Sequence, residues 1–409
     1  MTALDLDFVR SQFPAFSEPS LDGWAHFDNA GGSYACGQVI EQLNRYYRQT
    51  KIQPYGFGPA STRAGEQMDT ARARMASMLN VTSDEVHFGP STTQNTYVMA
   101  AAVRELLKAG DEVIVTNLDH EANIGAWRRL ESAGAVIREW RIDPDSGDLD
   151  LADLDQLLSD RTRVVAFSHA SNIVATFNPV REICDRVHAA GAITVVDGVS
   201  FCGHGLPDVD ALGADLYLFS LYKVYGPHQG VMVVRQASNE VLPNQGHFFN
   251  DGHPTARFTP AGPDHAQIAA SNGVLDYFEA IHQHHIGDQS PGPSMAGAVL
   301  DLFQQQEQHL LQPLLDYLDG RSDVRLIGRT VAAERAPTVA CTSERHPAGL
   351  LATRLADHRI MAGADNFYAW RCVKALGIDP EVGVLRLSFV HYTSEEEVSR
   401  LIQALDQVL

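Results

Sequence analysis

The sequence predicts an α/β protein: a large domain with a mostly parallel, doubly wound sheet, followed by a smaller α+β C-terminal domain. Three observations predict it. A chain of 409 residues exceeds what one hydrophobic core usually organises, so a second, smaller unit is expected. Hydrophobic residues make up 44% and charged residues only 20%, the balance of a chain that buries a sizeable core and offsets its ordering entropy. From about residue 85 to 236, short apolar runs alternate with amphipathic stretches, the strand–helix–strand rhythm of a parallel sheet.

In chain order, EVHFG, DEVIVTNL, RVVAFSHAS, AITVVDG, DLYLFSLY and GVMVVRQ read as strands. Several are apolar throughout, as strands covered on both faces must be. TTQNTYVMAAAVRELLKAG, ANIGAWRRLESAG and PVREICDRVHAAG read as helices, each ending in Gly and charged on one face. After residue 236 a Gly/Pro-rich tract, NQGHFFNDGHPTARFTPAGPDH, precedes a helix from about Ala266 to Ala280. The loop GDQSPGPS then leads into the helical stretch SMAGAVLDLFQQQEQHLLQPLLDYLDG. RLIG, TVACTS, a helix in HPAGLLATRLADHRI, the strand VLRLSFVHY and the helix SEEEVSRLIQALDQVL complete the tail. The expected division is 16–280 for the large domain and 281–409 for the small one, with residues 1–15 packing on the latter.

Charge and cysteine usage narrow the function classes. Lys+Arg number 31 against 51 Asp+Glu, a formal charge of -20, so a nucleic acid would be repelled over most of the surface. No apolar stretch approaches the roughly 20 residues of a membrane helix, and the start MTALDLDFVRSQFPAF is acidic where a secretory signal is basic; a cytoplasmic protein with no membrane or nucleic-acid partner is expected. The five cysteines, Cys36, Cys184, Cys202, Cys341 and Cys372, contain no CxxC pair, so neither a zinc site nor a disulfide framework is indicated.

In open parallel sheets, ligands gather at the carboxyl ends of strands. Those ends carry Ser91-Thr92-Thr93, Asp119-His120-Glu121, Ser171-Asn172, Asp197, and Ser220-Leu221-Tyr222-Lys223. The hydroxyl run opens a helix, which is a plain N-cap taken alone and an anion site in company. Lys51, Lys108, Lys223 and Lys374 are the chain's four lysines. Only Lys223 follows an apolar strand, LYLFSLY, and precedes a tight Gly-Pro loop. A lysine desolvated there loses basicity and becomes a nucleophile able to form a Schiff base. A buried ion pair with Asp197 is the bland alternative. Together with the anion site and Asp197, however, Lys223 points to pyridoxal 5'-phosphate. Asp197 then keeps the ring nitrogen protonated, His120 stacks on the ring, and Asn172 bonds near its phenolic oxygen. Arg386, the sole charge in the apolar strand VLRLSF, grips a substrate carboxylate.

At this point the chain resembles the class V aminotransferase family of fold-type I pyridoxal-phosphate enzymes, in its cysteine desulfurase-like branch. The resemblance rests on FDNAGGS, HFGPSTTQN, LDHEANIGAW, SHASNIVATFNPV, VVDGVS, LYLFSLYKVYGP and RLSFVHYTSEEEV, in the family's order and spacing. It implies that Lys223 is the Schiff-base lysine, Asp197 meets the ring nitrogen, and Thr92, Thr93 and Ser220 bind phosphate. His120 stacks on the ring and is catalytic with Lys223, while Asn29 and Arg386 hold the substrate carboxylate. It also implies a homodimer with active sites at the subunit interface, where the loop RFTPAGPDH is similar to one reaching the neighbour's phosphate. Departures bear on the reaction. Asn366 to Tyr368 stand where desulfurases carry their sulfur-accepting cysteine, and the histidine two positions before Cys372 is also missing, being Trp370. Tyr222 replaces a phosphate-binding histidine and Ser200 a glutamine or histidine, although both still fall among the cofactor residues.

The expectation is therefore an enzyme that labilises a Cα or Cβ bond of an L-amino acid, cysteine-like in kind, as a C–S lyase or by β-elimination. Transamination to a 2-oxo acid, desulfurization through a non-standard acceptor, and a degenerate, non-catalytic homologue are the alternatives. No metal site is expected. His282, His284 and His285 lack a completing carboxylate or cysteine, and a solvated helix end is the better reading.

Overall fold

A computed structural model describes residues 3–409; Met1 and Thr2 of the expected N-terminal packing segment lie outside the described residues. The larger sheet has seven strands, in the spatial order Val86–Gly89, Gly230–Val234, Leu216–Ser220, Ile193–Asp197, Thr162–Ser168, Glu112–Thr116, Val136–Trp140. Gly230–Val234 runs antiparallel to both neighbours, and the remaining pairs are parallel. Six of the strands are those read from the sequence. The seventh, Val136–Trp140, is the edge strand, with only Trp140 buried. Its Arg138 and Glu139 are tolerated there because an edge strand has one side in water.

The apolar strands serve both faces at once. Val113, Val115, Val164, Ala166, Leu216 and Leu218 pack into one hydrophobic cluster with Met99, Val103 and Trp127. Their alternates Ile114, Val165, Phe167, Tyr217 and Phe219 pack into the other, with Ile183 and Val187. A strand side chain flips face at every residue, so only a run without polar interruptions satisfies two covered faces.

The second sheet is antiparallel, ordered Gly363–Asp365, Val384–Ser388, Thr338–Ser343, Val324–Ile327. The helix Gly292–Asp319 links the two units. Its Ala296, Val299, Leu302 and Phe303 belong to the large core, whereas Leu310, Leu311, Leu314, Leu315 and Leu318 belong to the core under the small sheet. The expected division at 280/281 falls inside another helix, Asn272–His285. We propose that the boundary lies within Gly292–Asp319, near Glu307, where burial passes from one core to the other.

The N-terminal helix Leu6–Ser11 touches both units. Val9 and Phe13 enter the large core, and Arg10 pairs with Glu397 of the last helix. The expectation of a solvated histidine end holds only in part: His284 is exposed, His285 half-buried and His282 buried. His284 stacks on Phe8 at 3.8 Å, and His285 Nε2 accepts from Asp5 N at 2.9 Å. His284 and His285 anchor the N-terminal helix, whereas His282 faces Asp288 at 3.3 Å. Among the described residues no helix is long and apolar enough to cross a membrane, and no group of three or more His, Cys, Asp or Glu is placed to hold a metal.

Candidate active site

Parallel strands end on one rim, and there the sequence's candidates meet. Ile193–Asp197 ends in Asp197, and Leu216–Ser220 ends in Ser220, followed by the single turn Leu221–Lys223. One cleft is lined by Thr92, Thr93, His120, Asn172, Asp197, Ser200, Ser220, Tyr222 and Lys223, joined by Ser91, Ser168 and His228. Arg386 reaches the region from the small sheet. Asn29 does not line this cleft; it lines a smaller cavity that shares Val199, Ser200 and Lys223 with it.

The anion end is built from helix and strand together. Ser91 caps Thr92–Leu106 through Gln94 N, 3.2 Å, so the helix points its free N–H groups at the cleft. Thr92 Oγ1 lies 2.7 Å from Ser220 Oγ, a buried hydroxyl pair that ties the helix to the lysine-bearing strand.

Burial sets the charges at the other end. The Asp197 carboxyl is pushed up to about 7 by burial and by nearby Asp119, against the Val199 N–H donor and Lys223. Val199 N donates to Oδ1 at 2.8 Å, and no other donor meets this carboxylate among the described residues. Lys223 is pulled down to about 8 by burial and by Arg386, with Asp197 and Asp28 opposing. Its Nζ donates to Ala30 O. His120 falls to about 4 through burial, then Lys223 and Arg386, so its ring is neutral at pH 7. Nδ1 accepts from Ala122 N at 3.0 Å, which places the ring proton on Nε2.

Arg386 is 3% exposed. Its Nη2 donates to Asp28 Oδ1 at 3.0 Å, and the Phe367 ring covers the guanidinium at 3.6 Å. Phe367 and Tyr368 hold φ of 51° and 59°, a left-handed pair fastened by Asn172 Nδ2 to Phe367 O (3.0 Å) and Glu121 N to Tyr368 O (2.8 Å). Tyr368 stands 5.3 Å from the His120 ring. The side chain of Asn29, expected to hold a carboxylate, is engaged by the protein itself. Its amide donates to His26 O and Ser388 O at 3.0 and 3.3 Å, and its oxygen accepts from Tyr392, so both amide hydrogens are in use. Its neighbour Asp28 faces Arg386 instead. Sequence reasoning missed Asp28, Phe367, Tyr368 and His228; the first three lie within segments it had singled out.

All five cysteines are buried and unpaired. Burial pushes the Cys372 thiol well up, inside the helix Trp370–Ala375, so it is not the exposed thiolate that sulfur transfer requires.

A seven-stranded sheet with a lysine, a carboxylate and an anion cradle on one rim defines a fold-type I pyridoxal-phosphate architecture. The chain belongs to the class V aminotransferase family: the family described as aminotransferase class-V matches residues 25–289 and 296–401. The aminotransferase-like protein FGM3 of Gibberella zeae is 35% identical over all of this chain and 99% of its own length. A cysteine desulfurase of Serratia proteamaculans is 28% identical over 98% of each chain. The apo cysteine desulfurase of Thermococcus onnurineus NA1 shares the fold, with a TM-score of 0.84 at 24% identity, over 100% of this chain and 98% of that one.

This family depends on pyridoxal phosphate, and the residues present fit it. The hydroxyl pair and helix terminus suit a phosphate, the carboxylate with one unshared oxygen suits a ring nitrogen, and the depressed lysine suits an aldehyde. Asn172 keeps a buried oxygen without a partner and a second amide hydrogen for a ring substituent.

Proposed function

We propose that the chain is a pyridoxal-phosphate enzyme that breaks a bond at Cα or Cβ of an L-amino acid, cysteine-like in kind, with lyase or β-elimination outcome. Lys223 facing Asp197 across a cleft closed at one end by the helix N-terminus carries this reading. When bound through Lys223, pyridoxal phosphate supplies an electron sink for carbanion character at the substrate's Cα. Thr92, Thr93, Ser220 and the helix N–H groups hold the phosphate, and Ser200 and Tyr222 line the site beside it. Asp197 would keep the ring nitrogen protonated, His120, a neutral imidazole, would stack on the ring, and Asn172 would donate near the phenolic oxygen. Lys223 Nζ would serve as the base at Cα, and Arg386 would orient the substrate through its carboxylate.

Burial of all five thiols favours release of the sulfur or other leaving group directly, rather than onto a protein cysteine. Assays with L-cysteine and related amino acids test this reading. Pyruvate and ammonia are expected; stoichiometric consumption of an added 2-oxo acid would instead mark an aminotransferase. Cofactor bound with no Cα proton exchange for any amino acid would mark a non-catalytic homologue. The protein acts as a homodimer in this proposal, in keeping with exposed Tyr47, Tyr55, Phe57, Phe248 and Phe249, which a second copy would cover.

A further inference from the structure

We propose that Asp28 is an internal stand-in for the substrate carboxylate: it neutralises Arg386 until an amino acid arrives, then gives way. The proposal rests on the reading that Arg386 binds that carboxylate.

Arg386 and Asp28 are unequal partners. The Arg386 side chain is 4% exposed and that of Asp28 36%, so the carboxylate can turn into water while the guanidinium cannot follow. Asp28 is the one carboxylate in ion-pair contact with Arg386 among the described residues. The guanidinium is otherwise sparsely satisfied: Nη1 reaches Asn172 O only at 3.5 Å, and buried Nε has no acceptor. Phe367 blocks one face at 3.6 Å. A ligand carboxylate must therefore approach the edge that Asp28 now uses, where Nε and Nη2 offer a bidentate grip that Asp28 takes singly.

The space around Asp28 is made by two missing side chains. A Cβ at Gly31 would lie 2.9 Å from Asp28 Oδ2, and one at Gly363 3.1 Å from Oδ1 and 2.8 Å from the Phe367 ring. Neither glycine has a positive φ, so room rather than backbone freedom explains them. Exchanging one carboxylate for another leaves the buried arginine compensated throughout. It also sets a threshold. A lone carboxylate must beat an intramolecular competitor with nothing else to hold it, whereas an amino acid is held at its amine as well. Asp28 thereby selects amino acids over simple carboxylates.

The test uses acetate as the probe and the thermal midpoint of the cofactor-free protein as the readout, at constant ionic strength balanced with chloride. Wild type is expected to be insensitive to acetate. Asp28→Asn should gain an acetate-dependent rise of about 2 °C or more, and the double variant Asp28→Asn/Arg386→Gln should lose it. Should Asp28→Asn show no cooperative transition, Asp28→Ser carries the same measurement. Equal acetate responses in wild type and both Asp28 variants overturn the proposal. If wild type itself responds and Arg386→Gln does not, Arg386 binds carboxylates with Asp28 in place, so the stand-in falls and the reading of Arg386 survives. If the double variant responds as strongly as Asp28→Asn, the reading of Arg386 falls instead.

Discussion

The two sides of the cleft are built differently. Asp197, Ser220 and Lys223 stand at or just past the ends of adjacent parallel strands, buried from Thr194 to Asp197 and from Leu216 to Ser220. Arg386 comes from the middle of an antiparallel strand in the other sheet, and its cover, Phe367, belongs to a backbone segment in the left-handed region. That conformation costs about 1–2 kcal/mol per residue. It persists because the large unit clasps the segment through Asn172 and Glu121, and because Phe367 lies on a desolvated cation, a contact of about 2 kcal/mol. The side that carries Lys223 and Asp197 is thus rigid through its scaffold, whereas the side that carries Arg386 depends on a few specific contacts across the two units; in the proposed function the first is the reactive side and the second the substrate side. Chemistry common to a family suits the first kind of wall and substrate choice the second.

Removing the reactive side should have the largest effect. Lys223→Ala should abolish the visible absorbance that develops with added pyridoxal phosphate and lower turnover by at least about 10³-fold; a variant that still colours and turns over would make the two sides equivalent. On the opposite wall, Arg386→Gln should raise KM about 10–100-fold, the worth of a charge-assisted hydrogen bond of about 1.5–3 kcal/mol, with a smaller change in kcat. An equal loss in both constants would place Arg386 in the chemistry rather than in binding.

The amine of Lys223 sharpens the contrast through pH. Its value of about 8 lies below the 10.5 of an ordinary lysine. It is protonated and unreactive below that point and free above it. Capture of pyridoxal phosphate, monitored by absorbance, should therefore climb about tenfold from pH 7 to 9 and then level. A rate still rising beyond pH 10 would mean an ordinary, solvated lysine. The smallest effect is expected at Cys372, buried in the helix Trp370–Ala375. Cys372→Ala should leave sulfide release unchanged and lower stability by about 1 kcal/mol, read from denaturant midpoints. Loss of sulfide release would reinstate a protein thiol as sulfur carrier.

Much of the site was legible because its residues obey local rules. Strand runs are apolar when both faces are covered, and the residues just past each parallel run fall on the same rim; nine of the eleven candidates meet there for that reason. The sequence does not show that the Asn29 amide donates to His26 and Ser388 while its neighbour Asp28 pairs with Arg386. The helices Gly37–Gln49 and Pro59–Met78 and the edge strand Val136–Trp140 went unread. The histidines at 284 and 285 gave no sign that residues near position 5 would dock on them.

By itself, then, the sequence determined the parallel architecture of the large unit and that Lys223, Asp197 and the Thr92–Thr93 hydroxyls would fall on one rim, because periodicity and strand-end position are local properties. Only the tertiary structure decided which group neutralises Arg386, that Phe367 and Tyr368 are held left-handed above it, and where one core gives way to the next. Those are contacts between segments as far apart as residues 28 and 386, set by packing and charge compensation that no short window of sequence contains.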